Sequence, residues 1–198
     1  MVSTSGSRAS TVRLIGGRPC LDLVNTVSWR GDPARLEEHL TDSAAALVWS
    51  VRAGVLTDSE AAALAGLDVR RPLLALRRAV TAHLADLPEP DVQALQPVVD
   101  SALRASALVP GPDGAAWEVK ALDARTPARR IALDLLDQLT SPPGPVRRCG
   151  DPDCGWAYVD TSRGHRRTWC SSADCGNRER VRRHAARSVE VQVSPVDR

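Results

Sequence analysis

Aliphatic residues recur along most of the chain at intervals of three and four, the spacing that aligns one face of a helix. The cleanest stripe is Leu73, Leu76, Val80, Leu84 and Leu87, with Pro72 at its start. Ala128, Ile131, Leu135 and Leu139 form another behind Thr126-Pro127, which reads as a helix opening. Leu36, Leu40, Ala44, Leu47 and Val51 keep the same period, with a break expected near Thr41-Asp42. Thr57-Asp58-Ser59-Glu60 fits a capping box ahead of a short alanine-rich helix. Pro19 suits the first position of a short helix after the Gly16-Gly17 turn, and a further helix is expected after Pro90. These stripes read as core. Trp117-Glu118-Val119-Lys120 alternates instead, after the turn signal Pro110-Gly111-Pro112-Asp113-Gly114, and predicts a small β-hairpin. Ser141-Pro142-Pro143-Gly144-Pro145 interrupts the pattern and reads as a linker or hinge.

The predicted fold is mainly α: a helical N-terminal domain with a small β-hairpin, then a small module of hairpin plus helix. At 198 residues the chain has room for one domain with a small appendage. Phenylalanine is absent and Tyr158 is the one tyrosine, so the core is aliphatic, which helices pack readily. A hydrophobic share of 43% and a charged share of 25% exclude global disorder. No apolar run approaches the roughly 20 residues that cross a bilayer. The start of the chain lacks a secretory pattern, so a cytoplasmic protein with no membrane partner is expected.

The body offers little catalytic chemistry. It contains no phosphate-loop lysine motif, dinucleotide fingerprint, zinc-protease helix motif or nucleophile elbow, so no catalytic residue is assigned. Cys20 shares an apolar helical face with Leu23, Val24 and Val27 and reads as a buried thiol. His39 and His83 read as surface or packing residues. Arg18, Asp22 and Asn25 are the candidates for a ligand pocket in the body.

Charge and cysteine usage single out the C-terminal quarter. Residues 1–144 carry 15 basic and 17 acidic side chains, and residues 145–198 carry 11 and 7. Within residues 163–187, eight arginines face only Asp174 and Glu179, which points to an anionic partner. The same quarter holds Cys149-x4-Cys154 and, 15 residues on, Cys170-x4-Cys175. Two short-spaced pairs at this separation are the arithmetic of a four-thiolate zinc site. An iron–sulfur cluster would use the same ligands, and disulfides would need an oxidising compartment. His165 and His184 are the alternative ligands. A module of about 45 residues buries little apolar surface, so the metal is expected to hold it together.

Between the pairs, Trp156-Ala157-Tyr158-Val159 reads as a strand, with Arg166 to Cys170 as its return after a turn at residues 161–165. Ser171 or Ser172 is expected to cap a helix that contains Cys175, with Val181 and Ala185 on its inner face. Arg178, Arg182 and Arg183 would then face outward, flanked by Arg180 and Arg187, and Arg163, Arg166 and Arg167 would extend the surface. Guanidinium groups on one side of a rigid helix suit phosphates and guanine edges.

Cys170-Ser171-Ser172-Ala173-Asp174-Cys175-Gly176-Asn177-Arg178, with Cys154-Gly155-Trp156 and Tyr158 to Ser162 before it, resembles the CGNR-type zinc finger. Gly16-Gly17-Arg18-Pro19-Cys20-Leu21-Asp22-Leu23-Val24-Asn25-Thr26 resembles the start of the ABATE domain that precedes this finger, and Asp42 to Trp49 and Ala53-Gly54-Val55-Leu56 fit the same pattern. The resemblance implies a bacterial, stress-responsive transcription regulator. The organisation expected is a flexible tail at 1–11, an ABATE-like helical domain at 12–140, a linker at 141–146, the finger at 147–190 and a tail at 191–198. The finger would hold Zn2+ and bind double-stranded DNA; the body would serve dimerisation as a homodimer, sensing of a small-molecule effector, or both. Two rivals stay open: an enzyme or small-molecule-binding protein with its pocket in the body, and an adaptor whose finger docks a protein.

Overall fold

The computed structural model describes residues 8–85, 92–111 and 114–193, with side chains from 188 onward left out of the description. Leu87, Pro90 and the Pro112-Asp113 part of the predicted turn lie outside the described residues. The elements run α1 (Pro19–Val24), β1 (Val27–Ser28), β2 (Glu37–Glu38), α2 (Ser43–Arg52), α3 (Asp58–Ala63), α4 (Arg70–Ala85), α5 (Gln96–Arg104), β3 (Ser106–Gly111), β4 (Gly114–Val119), α6 (Thr126–Thr140), β5 (Val146–Arg148), β6 (Ala157–Val159) and α7 (Cys175–Val193). The strands pair consecutively as three antiparallel two-stranded sheets, β1–β2, β3–β4 and β5–β6. The chain is therefore mainly helical with small hairpins, as its periodicity predicts.

Helix α1 is the hub. Cys20, Leu21, Leu23 and Val24 are all buried, and the helix packs against α4 and α6. The predicted stripes face it: Leu73, Leu76, Val80 and Leu84 of α4, and Ile131 and Leu135 of α6, are buried in one aliphatic cluster. The capping box of α3 forms: Glu60 N–H donates to Thr57 Oγ1 (3.2 Å) and Thr57 N–H to Glu60 Oε2 (2.9 Å). Glu60 also accepts from Arg130 of α6 (2.6 and 2.8 Å), which holds its carboxyl down at about 2.

The stripe from Leu36 to Val51 is only partly right. Asp42 caps α2 by accepting from Ala45 N–H (2.7 Å), so Leu36 lies outside the helix and is 54% exposed. The buried face of α2 carries Ala45, Ala46, Leu47, Trp49 and Ser50, and Ala44 points to solvent. The β3–β4 hairpin forms in the predicted place, with Leu108 opposite Trp117.

The linker is not a free hinge. Asp160 N–H donates to Pro145 O (2.9 Å), and a Cβ at Gly144 would come within 2.6 Å of Asp160 O. Beyond it, β6 is buried on both faces. Ala157 and Val159 join the aliphatic core of the body, while Tyr158 packs with the cysteines. The seam is hydrogen-bonded along its length: Ala157 N–H donates to Asn25 Oδ1 (2.9 Å), Asn25 Nδ2 to Ala157 O (2.8 Å), Val159 N–H to Gly16 O (2.8 Å) and Trp156 Nε1–H to Val27 O (3.0 Å). The C-terminal module thus borrows the body's core instead of relying on a metal alone.

The three residues expected to line a pocket, Arg18, Asp22 and Asn25, lie at this seam and at the contact of α1 with α6. Asn25 pairs with β6 through both its amide oxygen and its NH2. Asp22 Oδ1 accepts from Gly16 N–H (2.7 Å), and Arg18 is held by Asp134 (2.8 Å) and Asp137 (2.5 Å) of α6. Buried polar groups need such partners, and these three are occupied in joining parts of the fold. Cys20 is buried as expected, and burial pushes its thiol well above the ordinary range.

Candidate metal centre and basic surfaces

Cys149 and Cys154 flank the tip of the β5–β6 hairpin, Cys170 precedes α7, and Cys175 is its first residue. The partner of β6 is thus Val146–Arg148 upstream, not the expected return at residues 166–170. That return is irregular because Asp160 gathers it: its carboxylate accepts from Ser162 N–H (3.0 Å), Arg167 N–H (3.0 Å) and Arg147 Nε (3.2 Å). Tyr158 Oη donates to Arg167 O (2.7 Å), and the Arg167 guanidinium lies 4.1 Å from the tyrosine ring centre. Tyr158 is therefore core.

The four sulfurs lie within 4.8 Å of one another, with Cys154–Cys170 at 3.6 Å and Cys170–Cys175 at 3.4 Å. All four are free thiols. A tetrahedral site with metal–sulfur bonds of about 2.3 Å would set its sulfurs about 3.8 Å apart, so the set fits an ion with small adjustments. The chemistry of the set also asks for one. Four thiolates this close repel, and the first to ionise suppresses the rest. Cys149 is pushed well down by the thiols of Cys154 and Cys170, while Cys170 is pushed far up by Cys149 and Cys154 and by burial. A cation removes that conflict. Cys170 N–H reaches Cys149 Sγ (3.4 Å) and Arg178 reaches Cys175 Sγ (2.8 Å), which spreads the sulfur charge.

Between the first cysteines stand Asp151 and Asp153, and they change the reading of the arginines. The fully buried Asp151 carboxylate accepts from Arg178 Nε (2.8 Å) and from both Arg182 Nη atoms (3.0 Å each). Arg182 also reaches Asp153 (2.7 Å). Burial opposes the Asp151 charge, but Arg178 and Arg182 overcome it and hold its carboxyl below the ordinary value. Arg178 further stacks on Trp29 (4.5 Å to the ring centre), as does Arg35 (4.0 Å), which pairs with Asp153. Trp29 has a left-handed backbone (φ 59°) and sits in the loop after β1, so this clamp ties body, knuckle and helix together.

Beyond the clamp, most of the described side chains of α7 are exposed. Val181, expected on the inner face, is 61% exposed, and Ala185 is exposed too. Arg178 and Arg182 turn toward Asp151, while Arg180, Arg183 and Arg187 are exposed at i, i+3 and i+7 along one stripe. Arg183 has only a loose contact with Glu179 (3.7 Å). A second basic surface is a trough of about 830 Å³ between β5 and the 165–168 segment. Arg148 and Arg166 are exposed there, whereas Arg147 is tied to Asp160 and His165 O. Arg163 is exposed nearby in sequence, and His165 Nδ1 is engaged with Asp160 O (2.6 Å).

Comparison with known families agrees with this division. Residues 17–142 match the ABATE family model, described as "Putative stress-induced transcription regulator". The chain belongs to the ABATE family. Residues 146–188 of this ABATE chain match the CGNR zinc finger, so the cysteine cluster is that finger's metal site. Neither description names an enzyme. No curated protein matches the chain. No helix among the described residues is long and apolar enough to cross a membrane.

Sequence reasoning missed Asp151, Asp153 and Arg148. The signal for the first two was present: two acids inside the first cysteine loop, and arginines four apart on the ligand helix. Arg147-Arg148, directly before the first cysteine, was the signal for the trough.

Proposed function

We propose that this ABATE protein is a zinc-dependent, DNA-binding transcription regulator whose finger is oriented by the helical body. Soft thiolates in a set of four favour zinc. The observation that carries the DNA reading is the split of α7 into two faces: one clamped by Asp151, the other bearing Arg180, Arg183 and Arg187 on a helix that is exposed beyond its second turn. A helix presenting three arginines along one stripe suits a major groove. Arg148, Arg163 and Arg166 then serve backbone phosphates.

Six exposed arginines contacting about four to six phosphates give a slope of log affinity against log salt near −4 to −5. The test is a titration of mixed-sequence duplex DNA at several ionic strengths with Arg183→Ala/Arg187→Ala. The expected result is weakening of at least tenfold and a shallower slope, with zinc content and Tm unchanged. Equal duplex affinity in the variant, or binding independent of salt, overturns the reading.

A further inference from the structure

A cleft of about 440 Å³ lies between the helices of the body and the segment that enters the finger. Its walls are aliphatic: Leu21 of α1, Val80 and Leu84 of α4, Leu135 of α6, and Pro145 and Val146 leading into β5. Among the described residues that line it, none carries a fixed charge. His83 is the one titratable lining residue, and it is engaged within the fold.

Gln138 breaks the apolar pattern. It lines the cleft, it is 5% exposed, and its buried Oε1 has no hydrogen-bond partner. Buried amides are ordinarily satisfied, and an exception of this kind marks a place for a ligand or a water. Oε1 is shielded from the cleft as it stands, but no hydrogen bond holds it there, so a flip of the amide can present either its oxygen or its NH2 to an incoming group. The size suits a molecule of one or two rings: a cavity of about 150 Å³ already admits benzene, and small-molecule sites begin near 300 Å³.

We propose that this cleft binds a neutral, mostly apolar small molecule bearing a hydroxyl, and that it is the effector site of the regulator. The rings or aliphatic frame lie against the open part of the lining, Leu139, Pro145 and Val146, and the hydroxyl pairs with the Gln138 amide. Carboxylates and phosphates are refused, because an ion entering this lining would lose water without gaining a counter-charge. The effector role rests on the DNA-binding reading; the binding itself rests on the cleft alone. The route between them is short. Pro145, in the cleft wall, accepts the Asp160 N–H, and the Asp160 carboxylate organises Arg147 and Arg167 of the basic trough.

The full-length, zinc-loaded protein is titrated calorimetrically with three probes: 2-naphthol, naphthalene and 2-naphthoate. Saturable binding of 2-naphthol is expected, at least fivefold tighter than naphthalene, with none for 2-naphthoate. Gln138→Leu keeps the shape and removes the amide, so it should erase the preference for naphthol while still binding naphthalene, which also reports that it is folded. Leu139→Trp, at a half-buried position of the lining, should fill the cleft and abolish both. No saturable binding of 2-naphthol, equal binding of the naphthoate, or an undiminished naphthol preference in Gln138→Leu overturns the site. Saturating naphthol is then added to the duplex titration, where a shift of at least threefold is expected. An unshifted duplex affinity with intact naphthol binding overturns the effector role and leaves the site standing. Absence of any duplex binding sinks the DNA reading instead.

Discussion

Replacing Asp151 by asparagine tests whether the two arginines of α7 are structural. The side chain keeps its size and can still accept from Asp153 N–H (3.3 Å), but it loses the charge that holds Arg178 and Arg182. Hydrogen bonds to a charged group contribute about 1.5–3 kcal/mol each. The carboxylate is fully buried, whereas the two guanidinium groups are 30% and 37% exposed and can recover water. Discounting for that recovery, a loss of about 2–3 kcal/mol follows, since breaking a wholly buried pair costs about 3–5 kcal/mol. For a chain of this length each kcal/mol is worth about 2–4 °C, so Tm of the zinc-loaded protein should fall by about 5–10 °C. Calorimetry reads this directly, and a chromophoric chelator reads the accompanying faster zinc release. Arg182→Ala should cost less, because Arg178 still holds Asp151. The double variant should lose about 1 kcal/mol less than the sum of the singles. Asp151→Asn within about 0.5 kcal/mol of the parent, or strict additivity, would refute the clamp.

Three further outcomes follow from the buried groups, the seam and the metal site. Burial raises the Asp22 carboxyl to about 6 against the Gly16 and Ile15 amides, which lower it; the folded state therefore holds a proton that the unfolded chain releases near pH 4. Its contribution is favourable below about pH 4 and lost as pH rises through 6, an effect of about 2–3 kcal/mol, so Asp22→Asn should stabilise the protein at pH 7.5 by about 1–2 kcal/mol and flatten the profile; a steeper profile or a loss of stability contradicts this. Asn25→Ala strips both hydrogen bonds from Ala157 and should cost about 2–4 kcal/mol, and zinc removal should lower one cooperative melting transition for the whole chain; a body that melts unchanged after chelation would separate the two units.

What the sequence disclosed was local. The cysteine pairs, the Thr57 capping box and the α4 and α6 stripes depend on residues within a few positions of one another, and each stands where its spacing put it. The failures involve contacts across long stretches of chain. Asn25 meets Ala157 from 132 positions away, and Arg18 meets Asp134 from 116. A polar residue with such a partner looks, in sequence, the same as one lining a pocket. The α7 inner face failed for a related reason. Val181 and Ala185 have the spacing of a buried stripe, but the helix is anchored by charge at Asp151 and no apolar surface approaches that face closely enough to bury Val181. The strand paired with β6 was missed because it precedes the first cysteine, outside the interval where the spacing drew attention.

The clamp also alters what the charge count means. Residues 163–187 carry a net +6, yet Arg178 and Arg182 spend their charge on Asp151 and Asp153, which lie outside that window. The exposed arginines of this module that no carboxylate holds closely are on α7, in the trough beside β5 and at Arg163. The paired arginines fix the direction of the helix that carries the others. Arg178 achieves this through three neighbours at once: the Cys175 sulfur, the Asp151 carboxylate and the Trp29 ring. Metal site, body and helix therefore share one side chain. Loss of any of the three would remove one anchor of the helix that carries the exposed stripe.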